Sequence, residues 1–290
     1  MLNTYIPPAW DDKVYFFAKE LVHDLQDGSW LMKVNPAAGL VCMKENQQGW
    51  PTVQDLRRER AQEEWRGRQA IYTGRILFSA GVILLLNGKI LLFQRDAEAL
   101  VDPRLWTTPA GRCDREPQMT AYKEFYEEVI ILDGSQNRPV LIIFQGSEVY
   151  LDYLKKVYAK TLRRQGFAWP VAQWASWHAA PLELPAPLIQ TVRVQVEGGE
   201  TGHGQTVPEA YEGRFLVFWD QNHNTLELRS VVSLEIPPEQ EAGLKLMDGE
   251  FNRPVKLFPR ARFWELEASR LDRTLVYFRD QMRALAGGES

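Results

Sequence analysis

The chain has 290 residues, 45% of them hydrophobic and 25% charged, with a formal net charge of −4. Such a composition can bury one large core or two modest ones, and the acidic balance argues against bulk electrostatic binding of nucleic acid or an anionic membrane. The two cysteines, Cys42 and Cys113, lie far apart and do not read as a disulfide framework, so a reducing cytoplasm is the expected setting.

The first residues, MLNTYIPPAWDDK, lack the basic segment and apolar run of a signal peptide. The longest apolar run, at 80–86, falls far short of the roughly 20 residues a membrane helix needs, and no membrane partner is expected. Residues 1–70 read as a mainly helical N-terminal extension. Val14, Phe17, Ala18, Leu21, Val22 and Leu25 form an apolar stripe at helical spacing, stopped by Gly28. A second, highly charged helix is expected from Thr52 to about Gln69, with only Val53, Leu56, Ala61 and Trp65 to bury. Its Arg58-Glu59 and Glu63-Glu64 read as an exposed charged face.

A second domain is expected over 71–290. Residues 76–94 predict a hairpin, with Asn87-Gly88 between two β-rich runs favouring a type I′ turn. The strand before the turn is almost continuously apolar, as in a strand buried on both faces. Val140 to Phe144 predicts another short buried strand. Residues 147–213 read as an insertion. Within it Leu151, Leu154, Tyr158 and Leu162 line one side of a helix ended by Gly166, and Lys155, Lys156, Lys160, Arg163 and Arg164 cover much of the rest. An aromatic stretch follows, with Trp169, Trp174, Trp177 and His178. It reads as a local core, with base stacking as the rival reading. Strands are expected at 215–219 and 226–236, and one amphipathic helix from Trp264 to Leu285. The order of elements is that of an α/β fold with a mixed sheet.

The stretch from Trp106 to Ile131, WTTPAGRCDREPQMTAYKEFYEEVII, carries the chemistry. Pro117 suits a first helical turn, and Asp114 or Glu116 can cap it. Met119, Tyr122, Tyr126 and Val129 fall on one side of that helix, and Glu124, Glu127 and Glu128 on the other. Three crowded carboxylates call for a cation, and a hard divalent ion is the natural candidate. Glutamates on a helix are ordinarily a solvated face. The hairpin, the Trp-x-x-Pro-x-Gly loop and the helix phase together favour the functional reading.

Lys-Glu-Phe-Tyr-Glu-Glu at 123–128 resembles the core of the Nudix box, and Trp106 to Gly111 resembles the loop that leads into it. The resemblance covers about 76–145 well and 214–285 only loosely. It implies an α/β/α sandwich with a mixed sheet, and Mg²⁺-dependent (or Mn²⁺-dependent) hydrolysis of a pyrophosphate bond in a nucleoside diphosphate derivative. Glu127 and Glu128 then match the paired metal-binding glutamates, Glu124 the glutamate just before them, and the Ala110 carbonyl a further ligand. Gly111 allows a tight turn. Lys123 replaces the family's Arg and can pair with Glu127 one turn on. The loop from Gly111 to Lys123 is shorter than the family pattern, so Arg115 or Glu116 falls where its first Glu belongs, and Ile130 replaces its late Gly. The general base is expected among Glu148, Glu209 and Glu212, with Glu148 first. Arg95, Gly111 and Arg115 are the expected substrate contacts. Pro109-Ala110-Gly111 is similar to the loop of ADP-sugar hydrolases, which leans toward ADP-ribose-like or dinucleotide substrates, with nucleoside triphosphates next. RNA is a less favoured partner, and a homodimer through residues 1–70 or the C-terminal helix is a further expectation. The runner-up reading is a catalytically weak module that binds a nucleotide and acts as a regulator.

Overall fold

The computed structural model describes residues 14–15, 17–34, 41–42, 59–97, 103–113, 116–134, 136–186, 188–196, 210–250 and 253–287. The chain divides into two units. One takes Met1–Ala80, Gly111–Thr120 and Leu184–Arg229; the other takes Gly81–Ala110, Ala121–Glu183 and Ser230–Ser290. The strand Gln69–Leu86, the helix Pro117–Glu128 and the strand Thr225–Leu234 each give residues to both.

In the first unit the strand Phe17–Asp24 pairs antiparallel with Trp30–Val34, which runs parallel to Ile189–Val196. Ile189–Val196 pairs antiparallel with Ala210–Asp220, and that strand pairs antiparallel with the start of Thr225–Leu234. The first residues of Gln69–Leu86 lie between Phe17–Asp24 and Gln62–Arg66, antiparallel to both.

The expected N-terminal helix is therefore corrected: the described residues at 17–34 form strands. A β-bulge between Ala18 and Glu20 explains the misreading. The extra residue, Lys19, puts the fully buried Ala18 and Leu21 three positions apart, which imitates one turn of a helix. The second expected helix is corrected as well. Gln62–Arg66 is an exposed strand that turns back through Gly67, at φ +60°, into Gln69–Leu86. Its charged side chains suit an outer strand, where they discourage pairing with another chain. The start of that expectation, at 52–58, lies outside the described residues.

In the second unit Val129–Asp133 pairs antiparallel with Lys245–Asp248 and with Arg138–Phe144. Arg138–Phe144 runs parallel to Ala175–Pro181, and the helix Leu151–Arg164 makes the crossover between them. The stretch expected as an insertion thus supplies a helix and a strand to this sheet. Leu154, Tyr158 and Leu162 are buried as expected, and Gly166, at φ +81°, ends the helix. Gly81 to Leu86 leads into the expected hairpin with Lys89–Gln94. Asn87 at φ +47° and Gly88 at φ +70° give the type I′ turn. Lys89–Gln94 also pairs with Val255–Pro259 and with Trp106–Thr107.

Aromatic packing fixes the part of the helix Pro117–Glu128 that belongs to this unit, from Ala121 on. Tyr122 stacks on Phe144 at 4.4 Å, Phe125 meets the same ring edge-on at 5.2 Å, and Tyr126 lies 5.3 Å from Tyr158. The Tyr126 hydroxyl donates to the Ile142 carbonyl. Each ring so buried contributes about 1.5–3 kcal/mol relative to an exposed one. The helix is thus held on more sides than its expected apolar stripe, and even Lys123 is buried.

The expected single C-terminal helix is broken. Arg260–Glu265 and Arg273–Gly287 are separate helices with a short turn at Ala268–Arg270 between them. Asp272 causes the break, because its carboxylate accepts the Leu275 N–H at 2.8 Å and so caps a new helix. The fold is mixed α/β with parallel and antiparallel pairings, as the order of elements leads one to expect. Among the described residues no helix is long and apolar enough to cross a membrane.

Candidate functional site

The loop before the helix is held against the strand Gln69–Leu86. The Val82 N–H donates to the Pro109 carbonyl at 2.9 Å. Gly81 is required there, since a Cβ at that position would lie 2.2 Å from the Pro109 oxygen and 2.5 Å from the Ala110 Cβ. The Thr107 hydroxyl bonds the Asp272 carboxylate, and the Asp272 N–H donates to the Trp106 carbonyl at 3.0 Å. Gly111, expected in a tight turn, instead lies in the short strand Ala110–Arg112.

Glu128, in the last turn of the helix, is the pin between helix and loop. One of its oxygens accepts the Ala110 N–H at 2.9 Å, and the other lies 3.5 Å from Nη2 of Arg253. Arg253 in turn grips Asp248 through Nε and Nη2, and its guanidinium lies 4.2 Å above the Phe93 ring. Asp248 also accepts the backbone N–H groups of Glu250 and Arg253, each at 2.9 Å. Burial pushes the Glu128 carboxyl up to about 8; Arg253 and the Ala110 N–H oppose that, while Glu250 and Asp248 reinforce it. Burial acts the same way on Asp248, yet the bonds from Arg253 and the two backbone N–H groups hold it below the ordinary carboxylate value. The helix end is tied down a second time. The Gly249 N–H donates to the Glu128 carbonyl at 2.9 Å, and a Cβ on Gly249 would lie 2.2 Å from the Glu127 carbonyl oxygen.

Glu124 and Glu127 have different surroundings. Their side chains are 16% and 22% exposed, and the Lys123 ammonium lies 3.5 Å from an oxygen of each. The i+4 pairing of Lys123 with Glu127 is the one expected from sequence. A divalent cation was implied by the resemblance, and the donor set suits it in kind: hard carboxylate oxygens that already draw one cation between them. Among the described residues, however, no group of three His, Cys, Asp or Glu side chains is placed to hold a metal ion. The fit is therefore to a two-carboxylate seat. That can serve Mg²⁺, which takes one or two protein carboxylates and completes its shell with water and phosphate oxygens.

The remaining expected residues lie as follows. Glu148 is exposed at the start of the turn Glu148–Tyr150. Glu212 is paired with Arg193 at 2.7 Å. Arg95 follows the strand Lys89–Gln94, its backbone N–H bonded to the Leu105 carbonyl at 2.8 Å. Glu116 is lifted by burial to about 7. Arg115 and Glu209 lie outside the described residues. Of the aromatic residues expected as a local core only Trp174 is buried, 5.3 Å from the Tyr158 ring, its indole N–H donating to the Trp169 carbonyl at 3.1 Å; Trp169 and His178 are exposed. Sequence reasoning missed Arg253, Asp248 and Gly249. The one local signal was Asp248-Gly249, an Asp and a Gly set to turn the chain.

No protein-family model matches the sequence, and no curated protein matches it. Among solved structures the chain is similar to a Nudix hydrolase from M. smegmatis, RenU. The identity is 12%, over 74% of this chain and 92% of the other, with a TM-score of 0.29. At that TM-score the fold and the chemistry rest on the chain's own residues.

Proposed function

We propose that the chain is a Nudix-type pyrophosphohydrolase, with a Nudix-like α/β/α sandwich as its core. On this reading it cleaves the phosphoanhydride of a nucleoside diphosphate derivative: ADP-ribose-like, a dinucleotide or a nucleoside triphosphate. One observation carries the reading. A buried, clamped helix presents two partly exposed carboxylates, Glu124 and Glu127, with the Lys123 ammonium 3.5 Å from each. An acidic face so fixed suits an anionic phosphate only when a cation neutralises both. Glu124 and Glu127 would hold Mg²⁺ or Mn²⁺, which when bound neutralises the phosphate oxygens and lowers the pKa of water. Glu128 is the further acid that the sequence pattern offers to the metal, and its bond to Ala110 keeps the loop against the helix. Lys123, displaced from between the two carboxylates, remains as a charge beside them. Glu148 would be the general base, and Arg95, Gly111 and Arg115 the contacts to substrate.

A second reading is a module that binds a nucleotide and regulates without cleaving it. The absence of a three-ligand group among the described residues favours it, as does the ammonium between Glu124 and Glu127. Both are tested by incubating the protein with a nucleotide panel and Mg²⁺ or Mn²⁺ and following phosphate-containing products. Turnover that Glu127→Gln removes supports the hydrolase. Tight binding of one nucleotide with no turnover across the panel supports the regulator.

A further inference from the structure

A cleft of about 380 Å³ opens beside the strand Val255–Pro259, lined by Trp106, Phe258, Leu266, Lys256, Arg262 and Arg270 among others. That volume is within the range of small-molecule sites. Its walls are built. Trp106 is buried and meets Phe258 edge-on at 4.8 Å. The Trp106 carbonyl is tied to the Asp272 N–H, and Arg279 donates to the Leu266 carbonyl.

The charge at its mouth is one-sided. Lys256, Arg262 and Arg270 stand against one acid, Glu265, on a chain whose net charge is −4. None of the three cations carries an ion pair among the described residues, and Lys256 lies 5.8 Å above the Trp106 ring. Three other cations of this unit are matched: Arg253 to Asp248, Lys89 to Glu241, Arg138 to Asp133. Two guanidiniums and an ammonium around an apolar wall suit a phosphate dianion, which arginine meets with two parallel hydrogen bonds.

We propose that this cleft binds an organic phosphate monoester, its phosphate at Lys256, Arg262 and Arg270 and its apolar body against Trp106, Phe258 and Leu266. The site uses none of the glutamates of the proposed hydrolase, so the inference stands apart from that reading. The probes are AMP, adenosine and inorganic phosphate, titrated calorimetrically into the full chain with EDTA present. The same titrations are run on the double variant Arg262→Ala/Arg270→Ala. AMP should bind more tightly than either part alone. The double variant should weaken AMP binding by roughly tenfold or more, the loss of two charge-assisted contacts, with an unchanged melting temperature when no ligand is present. Absence of AMP binding, equal affinity of the two proteins for AMP, or adenosine or phosphate binding as tightly as AMP would each overturn the proposal. If the double variant loses its fold, Lys256→Gln is the second test, with weaker AMP binding expected and unchanged binding counting against the site.

Discussion

Three glutamates sit on one helix within five residues of chain, yet they live in two environments. Glu128 is buried, bonded to a backbone N–H and to an arginine that is itself locked to Asp248. Glu124 and Glu127 are partly exposed, and both lie beside the point charge of Lys123. A carboxylate with a fixed, directional set of partners is structural: it holds loop to helix, and disturbing it disturbs the fold. The Lys123 ammonium beside Glu124 and Glu127 is a point charge without the planar fork of Arg253, so another cation can compete for the two carboxylates. The difference places stability in the first environment, and on the proposed reading the chemistry belongs to the second.

The largest expected effect tests the second environment. Glu124→Gln/Glu127→Gln should lower turnover by about two orders of magnitude or more, because the two carboxylates proposed to hold the metal are gone and Glu128 alone is left. Its unfolding midpoint should stay near that of the unaltered chain. Turnover retained in the double variant, measured on the same nucleotide panel, would move the chemistry away from this face. The first environment gives the next largest effect, on stability. The Asp248 side chain is fully buried, and Arg253→Met strands it there without a counter-charge. Removing one partner of a buried pair costs about 3–5 kcal/mol. Denaturant unfolding should show that loss, and a change below about 1 kcal/mol would mean that Asp248 finds another partner.

The two environments were not equally legible in the sequence. Lys123 and Glu127 are one helical turn apart, so their pairing follows from periodicity alone. Glu128 and Arg253 are separated by 125 positions, and nothing local at either residue announces the other. The same distinction runs through the fold. The turn at Asn87-Gly88 could be read because two adjacent residues in left-handed conformations decide it. The strand Phe17–Asp24 could not, because its bulge sets Ala18 and Leu21 at a helix-like spacing, and only pairing with Trp30–Val34 and Gln69–Leu86 reveals the strand. The C-terminal break at Asp272 was hidden for a related reason. The apolar spacing continues across it, while the cap and the bond to Thr107 are made in three dimensions.

Gly249 touches both environments at once. A methyl group there would press on the Glu127 carbonyl at 2.2 Å and on Thr161 Cγ2 at 2.6 Å. Gly249→Ala should therefore cost about 1–3 kcal/mol, as overpacking does. Because the crowded oxygen belongs to Glu127, turnover should fall more than that loss of stability explains. A variant that loses stability but keeps full turnover at low temperature would show that the helix end can shift without moving the acidic face.

The last expected effect appears only as pH is varied and concerns Glu116, which is less buried than Glu128 and has no ion pair or side-chain hydrogen bond among the described residues. Burial alone lifts its carboxyl from 4.5 to about 7. The folded chain thus holds this proton more tightly than the unfolded chain does. The associated stability is whole below about pH 4.5, declines as pH rises toward the folded value, and is gone above about pH 7. Glu116→Gln, which cannot ionise, should remove that decline. Melting temperatures measured from about pH 4 to about pH 8 should show the variant gaining on the unaltered chain through this interval and holding a constant lead beyond it. Parallel curves would mean that Glu116 finds water or a cation in solution. Glu128 would then differ from it in burial as well as in its directional bonds.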